Sequence, residues 1–133
     1  MSKICTSIEQ SKKFIELGID VNTADFMWEY NPDKETYWNK PTIIPIDDYI
    51  FVNDIPAWSI SALLSALPFH LIVNNRSYAF SMVKGFNKNG ETYAIKYYAT
   101  INSAFYYHMT DFYNDPIDAC VEMISWLKEN GKI

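Results

Sequence analysis

Cysteine is scarce in this 133-residue chain: Cys5 and Cys120 stand 115 positions apart, with no CxxC or CxxH spacing. That pattern gives no disulfide framework and no thiol-based metal site, and it favours a reducing compartment. Histidine is as rare, with His70 and His108 alone. Only four glycines are present, and there is no GxGxxG, P-loop, GxSxG or HExxH. The common nucleotide-fold, serine-hydrolase and zinc-protease readings lose their recognisable forms. There is no basic run, and the formal net charge is −5. Phosphate attraction supplies most non-specific nucleic-acid affinity, so duplex binding is not expected. A long hydrophobic run is missing too. The start, Met1 to Thr6, lacks the apolar core of a signal peptide. Residues 55–75 carry no formal charge but are broken by Pro56, Pro68 and three serines, so no membrane span is expected and the setting is cytoplasmic.

What the chain does have is aromatic side chains: eight Phe, ten Tyr and four Trp. Such rings bury large areas, and Tyr and Trp need a polar partner when buried, so part of this surface is expected at a groove or partner. Hydrophobic residues at 49% and charged ones at 20% are the balance of a globular protein. The length suits one domain over 1–133. Charge is uneven. Residues 20–54 hold eight acidic side chains against Lys34 and Lys40, while residues 55–98 hold Arg76, Lys84, Lys88 and Lys96 against Glu91.

Helix and strand signals alternate along the chain. Thr6-Ser7-Ile8-Glu9 reads as a capping box, followed by the apolar positions Ile8, Phe14, Ile15 and Leu17 and a stop at Gly18. Phe26 to Tyr30 predicts a strand with Phe26, Trp28 and Tyr30 on one face, and Thr42 to Val52 a second extended stretch broken by Pro45. Ile60, Leu63, Leu64 and Leu67 fit a helix over 56–67 with Pro56 in its first turn. The other face of that helix, Ser59, Ser61, Ala62, Ser65 and Ala66, is small and uncharged, so close approach by another element or another chain is expected. Phe69 to Val73 reads as a short strand, residues 77–98 as a hairpin around Asn89-Gly90, and Ile101 to His108 as a further strand. A last helix begins at Asp115 and Pro116, with Ile117, Cys120, Val121, Ile124 and Leu127 as its core stripe. The fold class is therefore α+β: a mostly antiparallel sheet of four to six strands with three helices packed on it.

Chemistry is sparse. His108 lies near Asp111 and Asp115, and a small hydrolase would need it to meet an acid or a thiol. Asp47-Asp48 is a weak metal candidate, read instead as a solvated turn, and no cofactor or metal site is expected. Tyr37-Trp38 in a polar loop and Phe105-Tyr106-Tyr107-His108 are candidate contact surfaces, along with Trp58, Ser61 and Ser65. Rings close to Arg76, Lys84 and Lys96 would suit a small, planar, anionic ligand such as a nucleotide.

The run Asp54–Pro68 (DIPAWSISALLSALP), the ending Asn114–Leu127 (NDPIDACVEMISWL), and the stretches Leu17–Asp20 and Thr23–Asp25 span most of the chain. Together they resemble small uncharacterised proteins of gut Bacteroidetes and their phages or mobile elements. The motifs coincide with helix caps and core stripes, so the resemblance implies a fold and a mobile-element setting and carries over no functional residue. The leading expectation is a non-enzymatic interaction protein in a bacterial host cell, binding a protein partner or a second copy of itself. The alternative is a protein that sequesters a small anionic, nucleotide-like ligand.

Overall fold

The computed structural model describes residues 3–44 and 53–133. Helix α1 (Ile8–Glu16) is capped by Ser7, whose hydroxyl accepts the Gln10 N–H while the Gln10 side chain accepts the Ser7 N–H. The box thus starts one residue later than the sequence suggests, because Thr6 is used elsewhere: its buried hydroxyl accepts the Trp58 N–H and meets Ser11. Phe14 is fully buried, and Gly18 follows the helix at φ 80, where a Cβ would be strained. A 3₁₀ turn (Val21–Thr23) leads into β1 (Phe26–Trp28), then β2 (Tyr30–Asn31), β3 (Thr36–Tyr37) and β4 (Thr42–Ile43). Strand β5 (Ile55–Ala57) pairs with the other side of β1, giving an antiparallel order β4-β1-β5, and β2 pairs with β3.

Phe26 and Trp28 share one face of β1 and are partly buried, while Met27, paired with the buried Pro56 of β5, is buried on the other. One expectation changes here. Pro56 lies in strand β5 and does not open a helix. Helix α2 (Ile60–Ala66) starts instead from Ser59, whose side chain accepts the Ala62 N–H. The Pro45 interruption and the Asp47-Asp48 turn fall outside the described residues.

The larger sheet is antiparallel, in the order β6 (His70–Val73), β7 (Arg76–Asn87), β8 (Gly90–Ala99), β9 (Tyr106–Met109). Asn74 and Asn75, both at positive φ, form the two-residue turn from β6 to β7. Asn tolerates that conformation better than any other residue except Gly, and two such residues in a row suit the right-handed twist of a hairpin. Helix α3 (Pro116–Glu129) packs on β8 and against α2. Side-chain alternation puts Tyr78, Phe80 and Met82 of β7 and Tyr93, Ile95 and Tyr97 of β8 on the helix side. There they join Phe14, Trp58, Leu63, Leu67 and the α3 stripe in one core. Over the described residues the architecture is α+β, with three α-helices and antiparallel sheets. Among the described residues, no helix is long and apolar enough to cross a membrane.

Candidate binding site

Alternation along β7 and β8 leaves a second face, and among the described residues no other element is layered over it. Its β7 row is made of small side chains: Ala79, Ser81 and Val83, half-buried, lie opposite Tyr98, Lys96 and the fully buried Ala94 of β8. Larger apolar groups stand at its margins. Ile72 of β6 is 70% exposed and Tyr106 of β9 is 57% exposed. At the hairpin end the Phe112 ring lies over Gly85. A Cβ there would sit 3.1 Å from Phe112 Cε1 and 2.7 Å from Thr92 Oγ1, so only glycine lets the ring lie flat. No carboxylate belongs to this face in a chain with 16 of them. Lys96 is its one lysine, half-buried, with no ion pair among the described residues.

A cleft opens at the end of the same sheet, where the turn before β7 meets the connection from β8 to β9. Its volume is about 530 Å³, and Arg76, Tyr78, Ile101, Asn102, Phe105 and Tyr106 line it. The connection is held by its own hydrogen bonds. Ala99 N–H donates to Phe105 O at 2.8 Å, Phe105 N–H to Asn102 O at 3.0 Å, and Thr100 N–H to Ser77 O at 3.1 Å. The Asn102 side chain accepts the Ala104 N–H at 3.0 Å, an Asx turn. Ile101 and Phe105 are 92% and 66% exposed on this ordered frame. The Arg76 side chain is exposed and has neither ion pair nor hydrogen bond among the described residues.

The three cations singled out in the sequence do not converge. Arg76 is in the cleft and Lys96 on the open face. Lys84 is near the hairpin tip, paired with Glu91 at 3.3 Å and 5.8 Å from the Tyr93 ring centre. Trp58, expected at a contact surface, is 1% exposed. It packs edge-on against Phe14 at 5.1 Å and donates its indole N–H to Thr23 Oγ1 at 2.8 Å, so it is core. Ser61 and Ser65 are exposed, with no described element over them, and border a second hollow of about 350 Å³ beside Thr23 and Asp25. Tyr37 folds back onto Tyr30 at 5.7 Å, while Trp38 remains half exposed.

Tyr107 and His108 are brought together by a register shift in β9 opposite Tyr97 and Tyr98, which turns both side chains toward α3. His108 stacks flat on Trp126 with ring centres 3.8 Å apart, and Tyr107 meets the same ring edge-on at 5.5 Å. Burial holds the His108 pKa below its ordinary value, partly opposed by Glu122. Among the described residues, no acid or thiol is hydrogen-bonded to His108. The Glu122 carboxylate accepts from the Tyr113 hydroxyl and the Asp111 N–H instead. Both thiols are buried, and burial pushes Cys5 up to about 11 and Cys120 up to about 12, far from a reactive thiolate. Among the described residues, no group of three or more His, Cys, Asp or Glu is placed to hold a metal ion.

Sequence reasoning missed the open face and the cleft as units. The alternation of Ala79, Ser81 and Val83 with large residues was readable, but which side the helices would cover was not. Asn102 and Ile101 belonged to a stretch expected to be strand, and their loop role depends on the register of β9. The chain matches no known protein-family model, no curated protein and no solved structure.

Proposed function

We propose that this chain is a non-enzymatic interaction protein, in the setting its resemblance implies an accessory protein of a phage or mobile element, that docks a partner protein on the open face of the β6–β9 sheet. The observation that carries the reading is a sheet face with a row of small side chains, apolar residues at its margins, no second layer among the described residues and no carboxylate. A sheet ordinarily buries both faces or studs the outer one with charges of both signs, and an uncovered face with exposed apolar margins and no acid marks an interaction surface. The buried thiols, and a His108 with no acid or thiol hydrogen-bonded to it among the described residues, favour binding over catalysis.

Charge selects the occupant. Covering this face strips water from Lys96, and an ammonium buried without a counter-charge is strongly unfavourable. A second copy packed face to face would bury two lysines and bring no carboxylate to either. The partner is therefore a different protein, one that presents apolar side chains flanked by Asp or Glu. The small central residues leave room for its side chains, and Ile72 and Tyr106 form the rim.

The test selects random peptides displayed on phage against the immobilised protein, then measures the enriched peptides against Val83→Glu and Lys96→Glu variants shown by circular dichroism to be folded. Enrichment of acidic-apolar peptides, with affinity lost by about tenfold or more in both variants, is the expected result. Peptides without acidic bias, or binding indifferent to both substitutions, would overturn the reading. A dimer of the wild-type protein that Val83→Glu dissociates would assign the face to a second copy and overturn it equally.

A further inference from the structure

We infer that the cleft around Arg76 binds a small phosphate ester bearing a flat aromatic ring, of the nucleoside monophosphate class. Three independent features of the cleft converge on that chemistry.

The first is charge. Among the described residues, Arg76 is the only charged one lining the cleft, and no carboxylate lines it. In a protein of net charge −5, a cation without a local counter-ion gives the cleft the opposite sign to the molecule as a whole. Its guanidinium makes no ion pair among the described residues, so all five N–H donors are available. That planar fork fits two phosphate oxygens at once, which a lysine ammonium does not.

The second is the apolar wall. Ile101, Phe105 and Tyr106 are 92%, 66% and 57% exposed within six consecutive positions. Nothing in the core needs them there. Exposed rings beside a cation suit a base, whose flat face stacks on an aromatic while its phosphate meets the charge. Tyr78 adds a ring that is itself fixed, packed on Tyr107 with centres 5.2 Å apart.

The third is preorganisation. The connection that carries Ile101 and Phe105 is tied to β8 and β7 by the Ala99–Phe105 and Thr100–Ser77 backbone bonds and closed internally by Asn102. On the opposite side, Arg76 is held at the start of β7 by the Asn74-Asn75 turn. Little conformational freedom is left to lose on binding, and the volume of about 530 Å³ falls within the range of small-molecule sites. The side-chain amide of Asn102 spends its oxygen on the Ala104 N–H, which leaves its NH₂ to donate to a base edge or a ribose hydroxyl.

Tyr106 borders both surfaces, but Val83 does not line the cleft, so Val83→Glu separates partner docking from binding in the cleft. The experiment is titration calorimetry of the full chain with AMP, GMP, CMP and UMP. Adenosine, inorganic phosphate and a single-stranded oligo-dT are separate arms. At least one monophosphate is expected to bind saturably, with the nucleoside and inorganic phosphate each weaker by about tenfold or more. Arg76→Ala and Phe105→Ala are expected to lower that affinity by about ten- to hundredfold, with Arg76→Lys intermediate and Val83→Glu without effect. Both cleft positions are exposed, so thermal melts of these variants should match wild type. Absence of saturation by every monophosphate would overturn the inference. So would equal binding of inorganic phosphate, binding confined to oligo-dT, or affinity unchanged in Arg76→Ala.

Discussion

Thr110 provides the sharpest test of how the edge of the sheet is built. Its side chain is buried, and its hydroxyl accepts the Ile95 N–H at 2.9 Å while donating to Asp111 O at 2.9 Å. Its own N–H donates to Ile95 O at 2.9 Å. A side chain thus stands in for the backbone acceptor that β9 would have supplied. Beyond it the chain rejoins β8 through the paired bonds of Tyr93 and Tyr113 and lays Phe112 over Gly85. Thr110→Val keeps the shape and removes the acceptor, leaving the amide of fully buried Ile95 without a partner. A buried donor left unsatisfied costs about 1–3 kcal/mol. At this chain length that lowers Tm by roughly 3–12 °C. Thr110→Ser keeps the hydroxyl and loses one methyl, which costs about 1 kcal/mol. Urea unfolding of the three proteins, with hydrogen exchange of the Ile95 amide, measures both effects. A Val variant as stable as wild type, or more stable than the Ser variant, would refute the reasoning.

Other consequences follow from the same packing. Gly85→Ala puts a methyl against Phe112 and Thr92 and should cost about 1–3 kcal/mol by urea unfolding, partly relieved by Phe112→Ala in the same chain; a neutral Gly85→Ala would contradict the close approach. Burial lowers the His108 pKa from 6.5, so folding favours its neutral form. Its contribution to stability is present above that value and is lost as pH falls through the folded pKa. The difference in Tm between wild type and His108→Phe, which keeps a ring on Trp126, should shift against wild type below about pH 6.5. A difference that stays constant from pH 8 to 5 would be the opposing result. The burial of Cys5 and Cys120 predicts that neither thiol reacts with a disulfide reagent at pH 8 in the native state and that both react in urea. A thiol labelled on mixing would be inconsistent with this core.

The parts of the fold governed by local chemistry were legible in the sequence. Asp115 and Pro116 begin α3, its apolar stripe is buried as spaced, and the β7–β8 hairpin closes at the expected turn. Misreadings occurred where tertiary contacts override local preference. Pro56 is a good first-turn residue, yet pairing with Met27 places it in β5. The candidate site was legible as residue types and not as a place. Arg76, Lys84 and Lys96 share one hairpin, but eight and twelve positions along twisted strands send them to the cleft, the hairpin tip and the open face. Trp58 shows the reverse: its position in a distinctive run suggested display, and its indole fills the core.

Docking on the open sheet face is tested most directly by methyl NMR of the isotope-labelled protein titrated with a selected acidic-apolar peptide. Outer-face methyls of Ile72, Ala79 and Val83 should shift in a saturable way, while core methyls of Leu63, Ile117 and Ile124 stay in place. Shifts centred on Ala62 and Ala66 of α2, or none on the outer face at saturation, would contradict it.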